Sequence, residues 1–432
     1  MKKIAYLIMA SAMVFAVSSC QDNNKLETHT TEEGLVDDNG TRLSPDQQKS
    51  KIEETADILL ANTKLDVWKA DYETAMIAAG SLSQKELNPE ALNNRINEIM
   101  TLWYSQESES PETVYRITAS LASITGHFTE QEDGTFAYEP ANDLKITAFA
   151  DGKAVVLTFS AKEREQAVFI DSSVYEEYDE YGNVVYSETE NVYVKVPESA
   201  KLTISLDGKL MASLDIKLDY TDVDNDSAVS PADKLDLSYV LSVSEYTLNV
   251  SKLNYASDKA SVSAKLSHGK QLLVGLDAKA AYSFSEGSQS GNVPFNPISA
   301  DMTLDLAGKM QIVGTIPDYS KLQEIARKIN ESYNDEAAFK AAVAEFEKAY
   351  GFGIYYDGGN TLQAKLGIEP YKREESESWN MIPVIRFMDG TSYGLSDYFT
   401  EERFGNLAQK VLDWQKEIYD YLGLNPQGES AQ

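Results

Sequence analysis

Four carboxylates and a serine hydroxyl stand at metal-ligand spacing within one stretch of twelve residues, from Asp222 to Asp233. Counted from Asp222, carboxylates stand at positions 1, 3, 5 and 12 (Asp222, Asp224, Asp226 and Asp233), and the Ser230 hydroxyl stands at position 9. Calcium takes roughly six to eight hard oxygen ligands. With a backbone carbonyl and water added, this loop approaches that number. Position 6 is Ser227, where a sharp turn favours Gly. The flanks, Ile216 to Tyr220 and Leu235 to Val243, alternate like strands. The competing reading is a solvated acidic loop joining two strands. A calcium ion here would be a structural clip that removes repulsion between crowded carboxylates.

A second pattern runs Tyr175-Glu-Glu-Tyr178-Asp-Glu-Tyr181-Gly-Asn-Val-Val-Tyr186. Tyrosines and acids alternate around a Gly182-Asn183 turn, which describes a hairpin. Such a hairpin suits stacking on sugars or gripping a basic partner. The plainer reading is a solvated tip with cross-strand Tyr pairs. Recognisable catalytic patterns are missing. There is no Gly-x-Ser-x-Gly elbow and no His-Glu-x-x-His, and Gly269-Lys270 is followed by Gln271 rather than Ser or Thr. His29, His127 and His268 are the three histidines, and none has a sequence partner that makes it a base. Paired carboxylates for glycoside hydrolysis need only the right separation in space, and 69 acidic residues leave that route open.

The chain has 432 residues, 42% apolar and 25% charged. That suits one large domain or about two to three modest ones. A net charge of −31 disfavours nucleic acid and anionic headgroups as partners. A single cysteine, Cys20, excludes a disulfide framework and Cys-based metal sites.

Helical patterning opens the body. Ser44-Pro45 reads as an N-cap and first helical residue, with Ile52, Ala56 and Leu59 on one face and the pattern continuing through Trp68 to Ala79. Asn88-Pro89 starts a second helix, with Ile96, Ile99 and Trp103 on its stripe. Ser110-Pro111 predicts a third, with Val114, Ile117, Leu121 and Ile124 inward and Gly126 as C-cap. From about residue 128 the period becomes two, as in Leu202-Ile204-Leu206 and Leu214-Ile216-Leu218, which predicts antiparallel strands with one dry face. Residues 202–216 echo 302–316, and a shared hairpin grammar explains this more simply than duplication. After Pro317 helices return, around Leu322 to Ile329 and Phe339 to Tyr350. Strand-like pieces follow, and a last helix runs from about Thr400 to Leu422.

The N-terminus reads as an address. Lys2 and Lys3 precede an uncharged run from Ile4 to Val17, and the segment closes Val17-Ser18-Ser19-Cys20. This resembles the lipobox of bacterial lipoproteins, which implies cleavage before Cys20 and lipid on that cysteine. The Gln21-Asp22-Asn23-Asn24 run is similar to the short polar export tags of Bacteroidota lipoproteins. The acidic loop from Asp222 resembles the calcium loop of EF-hands, and Asp at its last position is similar to dockerin modules. The segment Trp379 to Phe404, with the lipobox and the stretch from Tyr115-Arg116 to Phe136, resembles uncharacterised lipoproteins of gut Bacteroidota. That likeness implies origin and location and no particular chemistry.

The expected fold class is α+β, with N-terminal helices, a long antiparallel β-sheet and a C-terminal mixed helical segment packing on the sheet. The expected divisions are a signal peptide (1–19), a lipidated flexible tether (20–44), a helical segment (45–126), an antiparallel sheet (127–316), an α/β segment (317–424) and a tail (425–432). The expected function is a non-catalytic, lipid-anchored cell-envelope protein with a binding or scaffold role. The alternatives are a carrier of an apolar ligand in a sheet–helix pocket and a glycosidase-like enzyme. Expected partners are the outer membrane through lipid on Cys20, on its periplasmic or surface face, and a glycan, protein or apolar ligand. No cofactor is expected beyond the calcium of the acidic loop.

Overall fold

The computed structural model describes residues 30–31, 34–67, 69–70, 73, 90–108, 112–150, 152–222, 233–284, 295–372 and 378–422. The chain divides into two compact units. One comprises residues 1–69, 252–254 and 258–432, and the other residues 70–251 and 255–257. Strands dominate both, and most of their pairings are antiparallel.

In chain order the elements begin with β1 (Thr30–Thr31) and β2 (Gly34–Leu35), then α1 (Pro45–Thr63) and α2 (Glu90–Trp103). Ten strands follow: β3 (Tyr104–Ser108), β4 (Glu112–Ala119), β5 (Gly126–Glu130), β6 (Phe136–Glu139), β7 (Leu144–Ala150), β8 (Lys153–Tyr178), β9 (Val184–Leu206), β10 (Lys209–Thr221), β11 (Lys234–Val243) and β12 (Tyr246–Ala256). Then come β13 (Lys259–His268), β14 (Gln271–Phe284), β15 (Phe295–Leu306), β16 (Met310–Ile316), α3 (Tyr319–Glu331) and α4 (Glu336–Phe346). The chain closes with β17 (Gly351–Tyr356), β18 (Ala364–Lys372), β19 (Trp379–Phe387), β20 (Ser392–Gly394), α5 (Leu395–Tyr398) and α6 (Glu401–Leu422).

In the unit of residues 70–251, register carries the alternation of the sequence across the ladder. Leu157 and Phe159 of β8 lie opposite Ile204 and Leu202 of β9. Leu202 lies opposite Leu214 of β10, and Leu214 opposite Leu241 of β11. One face is therefore apolar over four strands. The other is polar, and there the Thr158 and Thr203 hydroxyls meet at 2.6 Å. Val155, Val168, Val196 and Tyr220 are fully buried, while most of the apolar face is half-buried.

The expected third helix is a strand instead. Glu112–Ala119 forms β4 and pairs in parallel with Ser187–Val194 of β9. Its Thr-Val-Tyr-Arg-Ile-Thr sequence is β-branched and aromatic, which suits a pleated surface better than a helix turn. Gly126 opens β5 rather than capping a helix. The continuation of α1 toward Ala79 lies largely outside the described residues.

In the other unit β13 to β20 pair in sequence order wherever a register is defined. The expected boundary after residue 316 falls inside this ladder, because Met310–Thr315 pairs with Gly351–Tyr356. Ile312, Ile354 and Ile385 point to one face. Ile52 of α1, Tyr398 of α5, and Phe404 and Leu407 of α6 seal that face. A capping box at Ser44 starts α1: the Ser44 hydroxyl accepts from the Gln47 N–H and the Gln47 side chain accepts from the Ser44 N–H. α3 and α4 pack on each other through Ile325, Ile329, Phe339 and Val343.

Residues 34–44, expected as free tether, are docked. Leu35 packs with Val313, Tyr355 and Leu362. A Cβ on Gly353 would lie 2.9 Å from Leu35 and 2.7 Å from Leu362, so any larger residue would force both leucine ends to shift. Arg42 pairs with Asp37 at 2.7 Å and donates to the Leu362 carbonyl. Gln363 accepts from the Leu43 N–H at 2.8 Å and donates to the Thr41 carbonyl at 2.9 Å. Asp37 and Asp38 look solvated in sequence; in the fold both accept from backbone N–H groups, Asp37 pairs with Arg42 and Asp38 accepts from the Thr361 hydroxyl, and these contacts offset the ordering entropy.

Candidate functional site

Four strands of the 70–251 unit place tyrosines and glutamates on one face. Cross-strand partners share a face. Tyr175 of β8 lies opposite Glu188 of β9, and Glu177 lies opposite Tyr186. The parallel pairing of β4 brings Thr113 beside Glu188 and Tyr115 beside Glu190. β3 then adds Tyr104, whose ring centroid sits 4.9 Å from that of Tyr115. The Tyr104 hydroxyl donates to Glu190 at 3.2 Å. Along each strand a tyrosine donates to the acid two residues on: Tyr175 to Glu177 at 3.2 Å and Tyr186 to Glu188 at 2.7 Å.

The electrostatics follow from these contacts. Burial pushes the Tyr104 hydroxyl up to about 12, with the Glu190 carboxylate adding to the effect. Hydrogen bonds to Glu177, Glu176 and Glu188 raise Tyr175, Tyr178 and Tyr186 in the same direction. All four phenols stay protonated donors at neutral pH. Each holds a carboxylate in place while the carboxylate keeps lone pairs for an incoming donor. On the opposite face Arg116 stacks over the Tyr193 ring at 3.7 Å, and Phe169 meets that ring edge-on at 5.6 Å. This surface can bind hydroxyl-rich or cationic groups.

The hairpin that carries Tyr175 to Tyr186 forms as its sequence predicts, with the Asp179 carboxylate accepting from the Tyr181 and Asn183 N–H groups at 2.9 Å, but the expected cross-strand Tyr pairs are Tyr–Glu pairs instead. Its neighbours Tyr104, Tyr115 and Glu190 escape sequence reasoning, because the β4–β9 pairing joins segments more than seventy residues apart. The one available signal is the alternation Tyr186-Ser-Glu188-Thr-Glu190.

Of the five candidate calcium ligands, Asp224, Asp226 and Ser230 lie outside the described residues. Asp222 and Asp233 are described. The ladder ends at Thr221 opposite Lys234, so these two aspartates are the first residues beyond it on either side. Asp233 is only 2% exposed and accepts from the Tyr220 hydroxyl at 2.7 Å. Among the described residues no group of three or more His, Cys, Asp or Glu side chains could hold a metal ion. Cys20 and His29 lie outside the described residues. His127 contacts Asp143 at 2.9 Å and His268 contacts Asn62 at 2.8 Å.

In the other unit a cleft of about 630 Å³ lies between the starts of α1 and α6. Asp46, Glu53, Asp397 and Glu401 line it together with Lys49 and Arg403. Arg403 stacks against Tyr398 at 4.9 Å and Tyr393 at 5.1 Å and reaches Asp46 at 3.4 Å. The cleft's best-placed cation is thus committed to holding the two helix starts together.

The chain matches no protein-family model, no curated protein and no solved structure. No helix among the described residues is long and apolar enough to cross a membrane.

Proposed function

We propose that this chain is a non-catalytic, lipid-anchored binding protein of the bacterial cell envelope, held at the outer membrane through Cys20. The observation that carries the binding role is the tyrosine–glutamate face built from β3, β4, β8 and β9, exposed at Tyr104 and Tyr175 and half-buried at Tyr115, Tyr186, Glu188 and Glu190. Aromatic faces and oriented carboxylates suit recognition, and surface tyrosines are favoured at interfaces. The lipobox supports the anchor, and the docked strap from Gly34 supports a body held near it. The finer architecture joins N-terminal helices, a long antiparallel sheet and a C-terminal mixed segment packed on it. Its support is the packing of Tyr398, Phe404 and Leu407 against Ile312 and Ile385.

The test is fractionation of cells expressing the full chain or Cys20→Ser, with an alkyne fatty acid as label. The wild-type chain should be labelled and sediment with the outer membrane. Unlabelled protein, or a variant that stays fully membrane-bound, would overturn the anchor. A panel of 4-nitrophenyl glycosides should show no turnover; turnover lost in Glu401→Gln would favour the glycosidase alternative.

A second reading, a carrier of an apolar ligand, draws on a separate observation. Leu202, Ile204, Leu214 and Ile216 form an apolar face that is half-buried rather than sealed. Native mass spectrometry of the full chain with a bound lipid-sized mass would favour that reading.

A further inference from the structure

β8 is unusual in how little of one edge is used. β7 pairs with it only from Lys153 to Phe159. β9 pairs with it from Val155 to Tyr178 on the other edge, with bulges that include one at Ile170. Glu163 is covered by a short turn, accepting from the Ser120 hydroxyl at 2.7 Å and the Ala122 N–H at 2.9 Å. From Val168 to Tyr178 that edge has no strand partner among the described residues. A free edge presents N–H and C=O groups to any extended chain that approaches. Proteins commonly blunt such edges with lysine or proline, and residues 165–190 contain neither.

The side chains around this edge are exposed. Val174 is 61% exposed, Tyr175 59%, Tyr178 58% and Tyr181 81%. Between Glu165 and Glu190 there are eight carboxylates and no Lys, Arg or His. Like charges so dense oppose pairing of this edge with a second copy. They favour a cationic occupant. The molecule already shows the matching contact, since Arg116 lies 3.7 Å over Tyr193 and pairs with Glu107 at 3.6 Å on this same sheet.

We propose that the Val168–Tyr178 edge binds an extended, lysine- or arginine-rich segment of another protein by strand addition. This rests on reading the tyrosine–glutamate face as a binding surface, and it names the partner class. An added strand places its side chains on alternate faces. Basic residues at every second position would lie beside Tyr175 and Glu177 of β8, with Glu188 and Tyr186 of β9 one strand further in on the same face. The backbone would complete the ladder that β8 leaves open.

The experiment uses the full chain in detergent and a fluorescent peptide of about ten residues alternating Lys and Val, enough to span the edge at roughly 3.3 Å per residue. Binding is read by anisotropy at several salt concentrations. Three controls accompany it: a Glu–Val peptide, the Lys–Val peptide N-methylated at alternate residues, and Val174→Lys and Glu177→Lys/Glu188→Lys chains checked for unchanged thermal midpoints. We expect the Lys–Val peptide to bind and weaken with salt, the Glu–Val peptide not to bind, and N-methylation and both variants each to weaken binding tenfold or more. Equal binding of the N-methylated peptide would overturn strand addition, because charge is unchanged and only the ladder is blocked. Equal binding to Val174→Lys, or no binding of the Lys–Val peptide, would also overturn the proposal. In those cases a glycan captured by the wild type and lost in Glu177→Lys/Glu188→Lys would still leave the face a binding surface.

Discussion

The Tyr355 hydroxyl donates to the Val36 carbonyl at 2.7 Å, across 319 residues of sequence. Burial raises this phenol well above its ordinary value, so it remains a donor throughout the usual pH range. The contact fastens the segment that follows the proposed lipid anchor to the central strand of one unit. The described part of this segment reaches back to Thr30, which pairs with Leu35 and is separated from Cys20 by nine residues.

Arg42→Ala should release the strap. The guanidinium pairs with Asp37 and also donates to the Leu362 carbonyl. Its loss leaves both acceptors short of a donor, at a cost of about 1–3 kcal/mol. Limited proteolysis should then cut between residues 34 and 44, where the wild-type chain resists. Wild-type resistance in the variant would mean that Leu35 packing alone holds the segment.

The same pair makes the strap sensitive to acid. The Arg42 hydrogen bond, with backbone donors from Asn39 and Leu362, holds the Asp37 carboxyl below its ordinary value. A carboxyl depressed on folding contributes stability above its unfolded value of about 3.9 and loses it as pH falls through the folded value. Proteolytic release of the strap should accelerate below about pH 4 in the wild type, and Arg42→Ala should flatten that dependence.

Phe404→Ala should be among the most damaging single changes. The ring is buried, lies 5.0 Å from Phe399 and 5.5 Å from Tyr398, and joins α6 to the apolar face of the ladder. Removing a buried Phe costs about 3–5 kcal/mol. Chemical denaturation should show a lower midpoint, whereas a shift worth less than about 1 kcal/mol would contradict the assigned packing.

Asp277 predicts a change of opposite sign. One of its carboxylate oxygens is buried and has no hydrogen-bond partner. Desolvation raises its carboxyl above the ordinary value, against lowering by Ser263 and Lys265. A carboxyl raised on folding costs stability above its folded value and nothing below the unfolded one. Asp277→Asn should raise the thermal midpoint at neutral pH, and the gain should vanish below about pH 4. A lower midpoint at neutral pH would place the charge in a role that the Ser263 and Lys265 contacts do not explain.

The acidic hairpin loop makes a metal prediction. If Asp222, Asp224, Asp226, Ser230 and Asp233 hold calcium, millimolar calcium should raise the thermal midpoint and a chelator should reverse it. Asp224→Ala should abolish the response. An identical midpoint with and without calcium would leave the loop a solvated connection whose Asp233 serves the Tyr220 hydroxyl alone.

The hairpins at 202–216 and 302–316 show how far a sequence echo reaches. Asp207 and Gly208 both have positive φ, as do Ala307 and Gly308. The first loop has two residues between paired Leu206 and Lys209, while the second has three between Leu306 and Met310. Similar strands around a left-handed turn converge on this grammar without needing one loop geometry.

By itself the amino-acid sequence determined the local periods. It marked Ser44-Pro45 as a helix start, Leu202 to Leu218 as alternating strands, the Tyr175–Tyr186 hairpin and the final helix through Leu407. These depend on backbone preferences and spacing within a few residues. Only the tertiary structure decided that 112–119 is a strand, because its parallel partner lies in 187–194. Likewise only the fold docked residues 34–44, since Gly353, Leu362 and Tyr355 form their receptor more than three hundred residues away. The tyrosine–glutamate face has the same origin: strand register, which local sequence does not encode, sets Tyr104 and Tyr115 beside Glu190.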